Sequence, residues 1–115
     1  MATRHRQPSV ATPGARAAIA ANFDGDEQLY QAFAASCATQ FAHDASAGQA
    51  RCDAGDLPAL RRLAHDLASA LTLLGHDELF AVARALESQA AAGDLHSARA
   101  SWRVLCAQLA HWPPP

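Results

Sequence analysis

The fold class of this chain follows from one segment, LRRLAHDLASALTLLG at residues 60–75. At about 100° of rotation per residue, all of its leucines except Leu73 cluster within one arc of an α-helix. Asp56 precedes the segment as an N-cap with Pro58 in the first turn, and Gly75 suits the left-handed conformation that ends many helices. The segment is therefore predicted to be an amphipathic helix with one buried face.

Four other segments show comparable helix signals. Short polar side chains cap helix N-termini, and proline suits the first turn. Their predicted starts are Thr12-Pro13, Asp24 or Asp26, Asp77 and Asp94. The second helix is predicted to fade near Ala47-Gly48. Short connections make consecutive helices antiparallel neighbours. We therefore predict an all-α fold, an antiparallel up-down four-helix bundle with a short additional N-terminal helix.

The composition agrees with a helical domain and argues against one class of partner. Thirty of the 115 residues are alanine, and lysine is absent, so all nine basic residues are arginine. The net charge of −2 is unlike that of proteins that bind nucleic acid through an excess of basic charge. Alanine favours helix but adds little bulk, so we expect the core to depend on the few large side chains.

Signals for membrane insertion, secretion and cysteine chemistry are missing from the sequence. No apolar run approaches the roughly 20 residues that cross a bilayer, and residues 1–10 contain no apolar core of a secretory signal. Cys37, Cys52 and Cys106 form no close pair, so buried thiols are expected. We expect a cytoplasmic protein. Residues 1–11 are predicted to be a flexible tail, residues 12–112 the bundle domain and residues 113–115 a proline tail.

His65 is the most informative polar residue, because it lies midway along the segment at 60–75. It falls roughly 140–160° from the centre of the apolar arc, so we expect it to be exposed to water. This position excludes a buried core histidine. A functional histidine and an ordinary surface histidine both fit it, and geometry alone favours the ordinary surface histidine. The residues predicted to share its side are Arg61, Arg62, Ala68, Ser69 and Thr72.

The order of several short motifs resembles the histidine phosphotransfer (HPt) family. AHDLASALTLLG at 64–75 is followed by Glu78-Leu79, Leu86-Glu87 and Gly93-Asp94, similar to the family's A-H-T-L-K-G-S, L-G, L-E and G-D. The resemblance covers about residues 14–111. It implies a bundle that exposes His65, which takes a phosphoryl group from the aspartyl phosphate of one receiver domain and passes it to another. Imidazole suits this reaction because its unperturbed pKa is about 6.5, and Nε2 is the expected reactive atom.

The resemblance also implies which partners and cofactors to expect. The partners are response-regulator receiver domains, with a hybrid sensor kinase as a further candidate. The chain is expected to need no metal or cofactor of its own, because the receiver supplies Mg²⁺ and carboxylates. It would be a phosphocarrier without independent catalysis. We expect a monomer, because the apolar stripes are used internally.

Two positions depart from the family pattern next to His65. The family has Lys three residues after the histidine and Gly at the fourth, where this chain has Ala68 and Ser69. Arg61 and Arg62 lie one turn earlier, and helical side chains lean toward the N-terminus. We therefore hypothesise that one of these guanidinium groups contacts the phosphoryl group. An ordinary solvated basic face is the alternative.

Other histidines offer no comparable chemistry. His43, His76, His96 and His111 form no convincing pair of metal ligands, and Asp66 points away from His65. Two further functions stay open. One alternative to the carrier is a degenerate HPt-like module that binds and regulates a receiver or kinase without productive transfer. The other is an unrelated helical interaction module. Leu73 is either a partial core residue or part of an apolar rim for docking.

Overall fold

A computed structural model of the chain describes residues 12–112. Within that range the chain forms helices and no strand, which confirms the predicted all-α fold. The helices are α1 (Pro13–Asn22), α2 (Glu27–Ala54), α3 (Leu57–Leu74), α4 (Asp77–Ala91) and α5 (Leu95–Leu109). The tails predicted at 1–11 and 113–115 lie outside the described residues. No helix between residues 12 and 112 is long and apolar enough to span a bilayer.

The four longer helices form a closed bundle. Helix α2 packs against α3 and α5, and α4 packs against the same two helices from the other side, while α1 lies against α3. The largest fully buried side chains are Trp102, Phe41, Leu60, Leu67, Leu71, Leu86, Leu105 and Leu109. Alanines fill the spaces between them, several with no exposed surface. As expected from the composition, a few large residues supply the bulk of the core.

Most helix starts follow the predicted caps. The side chains of Thr12, Asp26, Asp56 and Asp94 each accept a hydrogen bond from the backbone N–H three residues later. Helix α4 differs, because His76 and not Asp77 is its N-cap, with Nδ1 accepting from the Leu79 amide at 3.4 Å. Gly75 ends α3 at φ 79°, so only two residues, Gly75 and His76, separate the two helices. Asp77 lies in the first turn, where its charge still favours the helix dipole.

The predicted end of α2 near Gly48 is wrong, because the helix continues to Ala54 and ends at Gly55 with φ 68°. Gly48 is buried inside α2. A Cβ at this position would overlap the ring of Trp102 on α5. The glycine therefore allows close helix packing and is not a helix stop. Glycine in a helix costs about 1 kcal/mol relative to alanine, and the packing of Trp102 offsets that cost.

The three cysteines are free thiols, as the sequence predicts. Cys37 and Cys52 are buried and Cys106 is half-buried. Burial raises the pKa of the Cys37 thiol to about 11, because the thiolate is poorly solvated in the core. This thiol is therefore neutral at physiological pH and packs as a small apolar group.

Helix α1 is attached to the end of α3 by a backbone contact. A Cβ on Gly14 would overlap the carbonyl oxygen of Gly75, so the two backbones approach too closely for a side chain. Asn22 Nδ2 donates to the Leu73 carbonyl at 3.2 Å. From α2, the Tyr30 hydroxyl donates to the Leu74 carbonyl at 2.8 Å. The last carbonyls of α3 are thus bound by side chains from α1 and α2, which fixes the end of the helix that carries His65.

The Gly14 contact leads to a stability prediction. Replacing Gly14 with Ala should lower the free energy of unfolding by about 1–2 kcal/mol, because a backbone carbonyl cannot rotate away as a side chain does. Thermal unfolding followed by circular dichroism measures the change. Ala17→Ser, on the exposed side of α1, is the control and should leave stability nearly unchanged. An equal melting temperature for the wild type and Gly14→Ala would contradict the predicted clash.

Candidate functional site

His65 lies midway along α3 with its side chain 61% exposed. The helix turns its apolar face inward around Leu63, Ala64 and Leu67, which are all buried, and this arrangement holds the backbone of His65 rigidly. The predicted exposure of His65 is confirmed. An imidazole in this position is open to a partner while its backbone is fixed by the core.

One carboxylate from the neighbouring helix orients this imidazole. His65 Nδ1 lies 3.1 Å from Oε2 of Glu87 on α4, and the Glu87 side chain is only 19% exposed. A carboxylate only accepts hydrogen bonds, so the proton of the neutral ring lies on Nδ1. Nε2 then carries the free lone pair. The reactive atom expected from the resemblance is therefore the one that this geometry leaves available.

A cation lies beside the same carboxylate. Nη1 of Arg84, one turn before Glu87 on α4, is 3.7 Å from the second oxygen, Oε1, and the Arg84 side chain is 58% exposed. Oε1 is buried and has no hydrogen-bond partner. The described part of the chain thus places the exposed His65 imidazole, the Glu87 carboxylate and the Arg84 guanidinium in one row across α3 and α4.

Glu87 was not predicted as a partner of His65, although Leu86-Glu87 is one of the motifs that resemble the family. Helices α3 and α4 form an antiparallel pair joined at Gly75 and His76. His65 lies eleven residues before His76 and Glu87 lies eleven residues after it, so both occupy the same level of the pair. Counting outward from the predicted turn would have found this contact.

Four of the five predicted neighbours share the exposed side of α3 with His65. Arg61, Arg62, Ser69 and Thr72 are exposed, and the Ser69 hydroxyl donates to the His65 carbonyl at 3.2 Å. Their contacts with a phosphoryl group or a partner stay predictions.

The predicted position of Ala68 on the exposed side is wrong, because its side chain is only 3% exposed. Ala68 lies about 60° around the helix from His65, on an edge that a wheel drawn for α3 alone assigns to water. Packing between α3 and α4 buries that edge. Its methyl group is therefore part of the core.

Leu73, for which the sequence left two alternatives, is 40% exposed. Among residues 12–112, no group of three or more His, Cys, Asp or Glu side chains is arranged to hold a metal ion. The described site is therefore built around a single imidazole and its two neighbours on α4.

Comparison with known protein families agrees with this geometry. The family model described as Hpt domain matches residues 27–112, which include α2 to α5 and every member of the row, while α1 lies outside the match. No curated protein and no solved structure shows significant similarity to the chain. Hpt domains are phosphocarriers in two-component phosphorelays and interact with receiver domains and kinases. With most of its length matched and an exposed histidine on its third helix, the chain belongs to the Hpt domain family.

Proposed function

We propose that His65 accepts a phosphoryl group from the aspartyl phosphate of one receiver domain and passes it to a second receiver. The observation that supports this proposal is the exposed imidazole, whose Nδ1 is bound to Glu87 at 3.1 Å. Nε2 is therefore oriented toward solvent, where a partner's active site docks. Among the histidines in the described residues, His65 is the one with a hydrogen bond to a carboxylate.

The proposed reaction uses the Nε2 lone pair as nucleophile. This lone pair forms a bond to phosphorus as the bond from phosphorus to the aspartyl oxygen breaks, and the Asp carboxylate leaves with the electron pair. The ring keeps its proton on Nδ1 and gains positive charge, which the Glu87 carboxylate at 3.1 Å offsets. In the return step a second aspartate attacks phosphorus, and the neutral imidazole leaves.

Glu87 favours transfer in both directions for the same reason. A protonated phosphoimidazole is a good leaving group, because the ring departs as a neutral molecule. The carboxylate stabilises that protonated form and holds the ring in one orientation. The receiver supplies Mg²⁺ and the carboxylates that handle the phosphoryl charge. The chain thus acts as a carrier, and Arg61, Arg62, Ser69 and Thr72 form the surface around its acceptor.

The experiment mixes the chain with a panel of receiver domains that have each been phosphorylated with acetyl phosphate. We expect at least one receiver to lose phosphate while the chain gains a label that is labile in acid and stable in base, as phosphohistidine is. His65→Gln should abolish the label. His43→Gln, which alters an exposed histidine on α2, is the matched control and should retain it.

The outcomes separate the proposed carrier from its alternatives. Uptake that persists in His65→Gln would contradict His65 as the acceptor. Binding of receivers without uptake would instead identify a regulatory docking module. The absence of both binding and uptake would indicate a helical module outside phosphorelay signalling.

A further inference from the structure

The guanidinium of Arg84 is placed to interact with a phosphorylated acceptor. We propose that Arg84 donates hydrogen bonds to the phosphoryl group on Nε2 of His65 and offsets its charge. This inference rests on the proposed function of His65 and adds a residue of α4 to the site. It differs from the hypothesis that Arg61 or Arg62 on α3 fills that role.

Charge balance is the first reason. A phosphoryl group brings a charge of about −1.5 to −2 at neutral pH to the opposite side of a ring whose Nδ1 already faces the Glu87 carboxylate. The two anionic groups repel each other across the imidazole, and the partly buried position of Glu87 weakens solvent screening. A nearby cation is therefore needed to stabilise the phosphorylated form. Among residues 12–112, the one Arg that forms an ion pair with this carboxylate is Arg84.

The incomplete pairing of Glu87 is the second reason. Its Oε2 is bound by His65, but its buried Oε1 has no hydrogen-bond partner. Arg84 Nη1 lies 3.7 Å from Oε1, which is within ion-pair distance and too long for a hydrogen bond. A guanidinium has several N–H groups in one plane. A small movement of Arg84 would let one N–H bind Oε1 and another bind a phosphoryl oxygen.

The register of the helix pair is the third reason. The contact between His65 and Glu87 aligns α3 with α4, so Arg84, three residues before Glu87, lies level with Ala68, three residues after His65. That level is about 4.5 Å from the acceptor along the helix axis. Ala68 contributes only a buried methyl group there. The positive charge at this level therefore comes from α4.

The test uses phosphoramidate, a small phosphodonor that requires no receiver. In this reaction Nε2 attacks phosphorus, the bond from phosphorus to the amide nitrogen breaks, and ammonia leaves after taking a proton from solvent. The variants are Arg84→Gln, Arg84→Lys and the double variant Arg61→Gln with Arg62→Gln. Arg103→Gln removes an exposed arginine from α5 and is the control for a general change in net charge.

We expect Arg84→Gln to slow phosphoryl uptake about tenfold, the effect of losing one charge-assisted hydrogen bond. Arg84→Lys should restore most of the rate, and Arg103→Gln should match the wild type. A ³¹P NMR titration gives a readout that a purely structural role would not change. Removal of the neighbouring cation should raise the pKa of the phosphohistidine ring in Arg84→Gln and leave it unchanged in Arg103→Gln.

Each contrary result identifies what has failed. If the wild type takes up a phosphoryl group neither from phosphoramidate nor from a phosphorylated receiver, His65 is not an acceptor, and the inference about Arg84 falls with the proposed function. If only a receiver serves as donor, the same variants are compared with that receiver. If the wild type takes up phosphoryl groups and Arg84→Gln has the same rate and the same titration as the wild type, the inference about Arg84 is overturned while the proposed function of His65 stands. A loss confined to the Arg61 and Arg62 double variant would assign the cation to α3.

Discussion

Replacing Glu87 with Ala should slow phosphoryl transfer to His65 by about 10- to 100-fold, the cost typical of removing the group that orients a metal-binding histidine. The variant loses the hydrogen bond of 3.1 Å that holds the proton on Nδ1. The ring then rotates and exchanges between its two neutral tautomers, so Nε2 presents its lone pair for only part of the time. The positive charge that develops on the ring also loses its counter-ion.

Glu87→Gln divides this effect into its two parts. The amide oxygen of Gln can still accept a hydrogen bond from Nδ1–H, so orientation is largely retained while the negative charge is lost. We therefore expect a transfer rate between those of the wild type and Glu87→Ala. Glu78→Ala removes an exposed acid from the first turn of the same helix and serves as the control for charge on α4.

The measurements are the rate of phosphoryl uptake and the tautomer of His65. A ¹H–¹⁵N spectrum of the imidazole ring should show the Nδ1–H form in the wild type and in Glu78→Ala. In Glu87→Ala the two tautomers should both be populated. An unchanged tautomer with an unchanged rate would refute the orienting role of Glu87, whatever the outcome for Arg84.

The features of the fold that could be predicted from the sequence are those determined by residues within a single segment. The leucine arc of α3, its Asp56 cap and its Gly75 end all depend on neighbours in the chain, and the structure contains each of them. The prediction that α2 ends near Gly48 is wrong because the need for glycine at this position comes from another helix. The Trp102 ring of α5 occupies the space that a side chain at Gly48 would fill. A distant contact of this kind leaves no local signal.

In the candidate site, too, features set within one helix could be predicted and those set by contacts between helices could not. The exposure of His65 follows from the periodicity of α3, whereas the burial of Ala68 and the contact with Glu87 depend on how α4 lies against α3. A helical wheel identifies the two edges of an exposed face but not the neighbour that covers one of them. The hairpin register supplies that information. It depends on the position of the turn, which Gly75 and His76 mark in the sequence.

The largest loss of stability is expected from Trp102→Ala. Trp102 on α5 has no exposed surface, its ring fills the space above Gly48 on α2, and its Nε1 donates to Oε1 of Gln49 at 3.1 Å. Removing the indole leaves a cavity between these helices and an unused acceptor on Gln49. The free energy of unfolding should fall by about 3–5 kcal/mol, the range for large aromatic side chains in cores.

Urea denaturation followed by circular dichroism measures this loss without relying on tryptophan fluorescence. Val104→Ala, at a side chain that is 54% exposed on the same helix, should change stability by less than about 0.5 kcal/mol. Small domains have total stabilities of about 5–15 kcal/mol, so this loss would remove between about a fifth and all of the folding free energy. Phosphoryl uptake should fall only in proportion to the unfolded fraction that the denaturation curve gives, because the contacts of Trp102 with Gly48 and Gln49 include no member of the row. A free energy of unfolding equal to that of the wild type would contradict the conclusion that the contact between Trp102 and Gly48 is central to the packing of the bundle.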